Sequence, residues 1–140
     1  LFRSKTYMAV CEGTPPESGV IDLAIGLKPG HTVERCTGIG ARAVTAYRRI
    51  AADGAHSLMA FRLETGRTHQ IRVHMAGIGH PVAGDDLYGG KTDRTNRQLL
   101  RCTSVRIVCP VLNTDKTVAA DFTPAQKRLF PALFNVEREK

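Results

Sequence analysis

No stretch of the 140 residues approaches the roughly 18 uninterrupted apolar residues that a membrane-crossing helix needs. The opening Leu1-Phe2-Arg3-Ser4-Lys5 lacks the apolar region of a secretion signal. A soluble protein, or a portion of one, is therefore expected. Close cysteine pairs are also missing. Cys11, Cys36, Cys102 and Cys109 are spread along the chain with no C-x-x-C pair, which argues against a disulfide scaffold and for reduced thiols serving as small apolar side chains. His69 and His74 stand five apart with no cysteine pair at finger spacing, so no metal site is predicted. Internal repeats and linker-like stretches are absent as well, and the length suits one compact domain over residues 1–140. An apolar share of 42% and a charged share of 24% exclude a disordered tail, a collagen-like repeat and a coiled coil.

Positive charge is what the chain has in excess. The formal net charge is +7, and residues 34–106 hold twelve Lys/Arg against six Asp/Glu. A field of this kind attracts polyanions. Nucleic acid ranks ahead of an acidic membrane, because no amphipathic basic helix is evident in the sequence.

The pattern predicts an α+β fold with a largely antiparallel mixed sheet and a few short helices. Thr6–Glu12 has strand composition and ends at the turn Gly13-Thr14-Pro15-Pro16. Residues 26–42 are rich in glycine and proline and read as an exposed loop, with a short edge strand near His31–Arg35. Residues 43–50 and 57–64 alternate apolar and polar positions around Asp53-Gly54 and predict a hairpin. A two-turn helix over His69–Ala76 is expected to be capped by Thr65 or Thr68 and closed by Gly77, Gly79 and Pro81. The basic run to Arg97 is expected to be a mobile loop. Residues 103–111 and 117–122 read as strands around Asn113-Thr114-Asp115. Thr123-Pro124 starts a last helix over Ala125–Phe134, interrupted at Pro131.

Two glycine patterns are look-alikes. Gly38-Ile39-Gly40-Ala41-Arg42-Ala43 leads into a strand, which leaves no helix N-terminus for a pyrophosphate. Between Gly84 and Gly90-Lys91-Thr92 five residues separate the glycines where a phosphate loop has four. The informative run is instead Thr65-Gly66-Arg67-Thr68-His69-Gln70-Ile71-Arg72-Val73-His74, followed by Gly79-His80-Pro81 and by Gly84-Asp85 to Tyr88-Gly89. On a helix Ile71 and Met75 share an apolar face and put Arg72 at its edge. A guanidinium there needs a carboxylate or a phosphate, because burying it unpaired is costly. Read from the residues alone, a structural salt bridge to Glu64 or Asp85 is the plainer account.

That run resembles the RluA family of RNA pseudouridine synthases. Lys5-Thr6-Tyr7-Met8-Ala9 is similar to the family's tyrosine-bearing strand, Ala43-Val44-Thr45-Ala46-Tyr47 to its A-x-T-x-Y strand, and Phe122-Thr123-Pro124 to its closing segment. The resemblance implies the C-terminal portion of a pseudouridine synthase-like catalytic domain, acting without a cofactor on uridine of structured RNA, rRNA or tRNA. Partners would include the ribosome or its assembly intermediates and the missing N-terminal portion of the same domain. It implies catalytic roles for Arg72 and Tyr7, and substrate-binding roles for Ile71, Arg67, His69 and Gln70. Asp85 corresponds to a turn residue of the family and is read as structural rather than catalytic.

The resemblance also implies an H-R-L-D segment whose aspartate is essential, and the 140 residues contain none. Without that aspartate Arg72 is expected to face an uncompensated pocket, and the chain alone is expected to be inactive. Arg101-Cys102 stands where the family usually has His-Ala. The alternative is a non-catalytic, ribosome-associated or other RNA-binding relative. The bacterial cytoplasm or an RNA-containing organelle such as the mitochondrion is the expected compartment.

Overall fold

A computed structural model describes residues 2–135. Its eight strands are β1 (Phe2–Glu12), β2 (Ser18–Asp22), β3 (Ile25–Leu27), β4 (Arg35–Thr37), β5 (Val44–Ala52), β6 (His56–Leu63), β7 (Leu100–Cys109) and β8 (Thr114–Ala119). Two helices, α1 (Gln70–Gly77) and α2 (Pro124–Leu129), and a 3-10 turn at Asp86–Tyr88 complete it. Six strands form one sheet in the order β2-β5-β6-β1-β7-β8, and β3 pairs with β4 in a separate two-stranded sheet. Every strand pairing among the described residues is antiparallel.

The hairpin expected around Asp53-Gly54 joins β5 to β6. Asp53 accepts hydrogen bonds from the backbone N–H groups of Ala55 (2.9 Å) and His56 (2.7 Å), while Gly54 takes φ +93°, which is open to glycine without strain. Alternation along these strands then sorts the core into two sides. Ala9, Cys11, Tyr47, Met59 and Phe61 face α1 and pack with its Ile71 and Met75. Val10 and Leu58 face the opposite way and pack under Phe122, Phe130 and Leu133. Cys11 lies fully inside the first cluster, and burial together with Glu12 pushes its thiol pKa up.

Helix α1 has only eight residues, too few to persist in water by itself. It holds because it is covered on two sides: the large sheet takes Ile71 and Met75, and Ile25 and Ala43 take Val73. Its end is a Schellman arrangement, with His80 N–H donating to Met75 O (2.8 Å), Gly79 N–H to Ala76 O (3.0 Å), and Gly79 at φ +87°.

Several boundaries differ from the expectation. The loop over residues 26–42 contains the β3–β4 hairpin, and β2 was not anticipated. No side chain caps α1; residue 69 enters it in a left-handed conformation instead. The turn between β7 and β8 falls at Pro110–Asn113, slightly earlier than expected, because Asn113 supplies the positive φ. Helix α2 stops at Leu129, before Pro131 can interrupt it.

Candidate active site

One cleft of about 420 Å³ brings together Tyr7, Arg67, His69, Gln70, Ile71 and Arg72. Leu63, Gly66, Gln98 and Leu100 complete its wall. It lies where the N-terminal end of α1 meets β1, β6 and the start of β7. Tyr7 comes from β1 at a bulge: the β1–β7 register passes from Thr6–Ser104 to Tyr7–Cys102 and skips Thr103. The extra residue re-phases β7, so Cys102 pairs with Tyr7 and Leu100 with Ala9. Leu100 thereby joins the wall of Tyr7 on the α1 side of the sheet.

Arg72 does not face an uncompensated pocket. Its Nε donates to Asp85 Oδ2 (2.8 Å) and its Nη2 to Asp85 Oδ1 (2.9 Å), a two-point pair with a carboxylate that is 1% exposed. The correction has a simple cause: a half-buried guanidinium takes the nearest carboxylate that the fold supplies. Of the two partners weighed for it, Asp85 is the one, whereas Glu64 lies against Arg42 at 3.8 Å. The hydrogen bond to Asp85 holds the guanidinium pKa above its ordinary value. Nη1 of Arg72 has no hydrogen-bond partner among the described residues, and Cζ lies 5.1 Å from the centroid of the Tyr88 ring.

Gln70 also lines the cleft, but its amide is fully committed to the protein. Its Oε1 accepts from Thr65 Oγ1 (2.8 Å) and from Arg67 N–H (3.0 Å), while its Nε2 donates to Val44 O (2.9 Å) and Thr45 Oγ1 (2.9 Å). Both acceptor and both donor positions are used. Gln70 therefore fastens the Thr65–Thr68 loop to β5 at the edge of the cleft. The polar network continues inward. His74 Nε2 lies 2.8 Å from Leu23 O and its Nδ1 2.8 Å from Thr45 Oγ1, and burial lowers its pKa. A carbonyl can only accept, so hydrogen sits on Nε2, and the Thr45 hydroxyl donates to Nδ1.

Arg67 is exposed at the cleft rim, with its Nε donating to Arg42 O (2.8 Å). Ile71 is 4% exposed and forms both the cleft floor and part of the core, so the two readings of that residue describe one position. His69 sits at φ 57°, ψ 23°, with Nδ1 2.7 Å from Tyr88 Oη. Tyr88 was visible in the sequence only as the end of the Gly84-to-Gly89 run. Its contact with residue 69 crosses 19 positions and carries no periodic signal. No acidic side chain lines the cleft among the described residues.

Comparison with known proteins supplies the family. The sequence profile described as RNA pseudouridylate synthase matches residues 2–77. The uncharacterised RNA pseudouridine synthase YhcT of Bacillus subtilis is 40% identical over 121 residues, covering 84% of this chain and 39% of YhcT. Ribosomal large subunit pseudouridine synthase D of Vibrio cholerae is 44% identical over 89 residues, covering 63% of this chain and 28% of that protein. Among solved structures, human RNA Pseudouridylate Synthase Domain Containing 1 superposes with a TM-score of 0.74 at 28% identity, covering 94% of this chain and 57% of the human one. The chain thus spans well under half the length of these two bacterial relatives.

Proposed function

The chain belongs to the RNA pseudouridylate synthase family, and on that premise we propose that its cleft receives a uridine displaced from structured RNA, rRNA or tRNA, as the C-terminal portion of an RluA-type catalytic domain. The observation that carries this reading is the convergence of Tyr7, Ile71 and Arg72 on one cleft with Arg67 at its rim. In the reaction the N1–C1′ glycosidic bond breaks, the uracil turns, a bond from C5 to C1′ replaces the one lost, C5 gives up its hydrogen as a proton, and N1 takes up a proton. A carboxylate must stand near C1′ to act as nucleophile or to stabilise charge.

In this reading the Tyr7 ring packs on the flipped base and Ile71 lies against it. Arg72, already fixed by Asp85, offers its Nη1 hydrogens to orient the reacting carboxylate. Arg67 meets phosphate. The carboxylate itself is not among the groups at hand: the 140 residues hold no H-R-L-D segment, and Asp85 is occupied by Arg72. An RNA-containing compartment follows from the same reading, the bacterial cytoplasm or an organelle, with the ribosome or its assembly intermediates as the place of encounter.

The decisive pair of experiments is RNA binding and tritium release from RNA labelled at uridine C5. The chain is expected to bind structured RNA, with affinity falling steeply as salt rises, and to release no tritium. Robust release by these 140 residues would refute the need for a carboxylate from elsewhere. Absence of binding even at low salt would refute the RNA reading and favour a protein-interaction domain.

A further inference from the structure

His69 holds a backbone conformation that residues with a side chain seldom adopt, φ 57° and ψ 23°, and it does so at the mouth of the cleft. Such an outlier persists only where its surroundings fix it. Tyr88 holds its imidazole. Its Oη accepts a hydrogen bond from the backbone N–H of Arg35 (3.0 Å) and lies 2.7 Å from His69 Nδ1, with the two rings edge to face at 82°. Once Arg35 N–H occupies the phenol oxygen, the hydroxyl hydrogen has one acceptor left among the described residues, which is Nδ1. With the hydroxyl donating to it, Nδ1 is unprotonated and the hydrogen of the imidazole is on Nε2, which has no protein partner among the described residues.

We propose that Tyr88 is a positioning residue for the cleft: it locks His69 as the Nε2–H tautomer, so that this N–H is a neutral donor to a carbonyl oxygen of the bound base. This rests on the uridine reading given above. A neutral donor suits a base carbonyl better than a phosphate, which Arg67 serves with full charge. The groups facing the imidazole are Arg72 of α1, Arg35 of β4, and Asp85 and Tyr88 around the 3-10 turn. Burial and the Arg72 charge both oppose protonation, and Asp85 only partly offsets them.

Two measurements on the 140-residue chain test the proposal. Nitrogen-detected NMR of His69 is expected to show Nε2–H and an unprotonated Nδ1, and Tyr88→Phe to mix the tautomers and raise the titration midpoint. Phenylalanine keeps a ring beneath the Arg72 guanidinium, so loss of the hydroxyl is the change being read. The second measurement compares oligouridylate with an abasic phosphodiester of equal length. Tyr88→Phe is expected to weaken oligouridylate binding about three- to tenfold, the value of one hydrogen bond, and to leave the abasic oligomer unaffected. His69→Asn, which tolerates the left-handed backbone, should weaken it similarly, and adding Tyr88→Phe to it should cost nothing further.

An Nδ1–H tautomer, or a Tyr88→Phe protein with unchanged tautomer and titration, overturns the lock. Equal losses on the oligouridylate and the abasic oligomer overturn the assignment of the donor to a base. A wild-type chain with the lock intact but no affinity for either oligomer overturns the uridine reading itself, and the proposed use of the donor with it.

Discussion

Arg72 and Asp85 illustrate how a residue can serve both fold and site. The carboxylate is 1% and the guanidinium 13% exposed, so each is stable in place because of the other. Asp85→Asn keeps the shape but leaves a half-buried cation without its counter-charge. It is expected to cost about 3 kcal/mol in urea unfolding, and an unchanged midpoint would contradict the pairing. His74 makes a different prediction. Its folded pKa is depressed, chiefly by burial, below the ordinary 6.5. Below that value the unfolded chain binds a proton that the folded one refuses, so stability rises with pH there. The contribution is complete above the unfolded pKa and is lost as pH falls from it through the lower folded value. Comparing urea midpoints of wild type and His74→Gln from about pH 8 to about pH 5 should show a smaller acid loss in the variant.

Among the elements, the turn that carries Asp85 depends on close backbone approach. A Cβ at Gly90 would run into Val82 O, and one at Gly84 into Arg97 O. Both positions are fixed by contact with backbone, which cannot swing aside as a side chain can. Helix α2 is held by a capping box, with Thr123 Oγ1 accepting from Gln126 N–H (3.1 Å) and Gln126 Oε1 from Thr123 N–H (2.9 Å). Thr123→Ala is expected to lower stability by about 1 kcal/mol, read as a shift in urea midpoint with the cleft unaffected. The start of this helix was legible because Thr123-Pro124 is a local signal, a cap followed by a first-turn proline. The start of α1 was not: the chain enters it in a left-handed conformation at His69, with no side-chain cap, and the imidazole meets Tyr88 through a tertiary contact. Strand β2 escaped notice for a related reason. It is short and lies at an edge, with three exposed residues and only Ile21 buried, so its alternation is faint.

For the whole molecule, the sheet separates two environments. The α1 side carries the cleft, whereas Arg48, following the inward Tyr47 on β5, points to the other side and is exposed. If the cleft is the RNA surface, Arg67→Gln should reduce the slope of log affinity against log salt by about one. Arg48→Gln should leave both slope and affinity nearly unchanged. Equal effects of the two would indicate diffuse binding over the whole basic surface.

The sequence by itself determined the antiparallel hairpin at Asp53-Gly54, the short helix bearing Ile71 and Arg72, and the family, because turn chemistry, periodicity and a long motif are written in neighbouring residues. The tertiary structure alone decided which carboxylate neutralises Arg72, that the amide of Gln70 is consumed internally, and that Tyr88 reaches His69. Those outcomes depend on distances between groups 13, 25 and 19 positions apart, which are set by how the chain packs. A buried polar group takes whichever partner packing brings within reach, and local spacing carries no record of that choice.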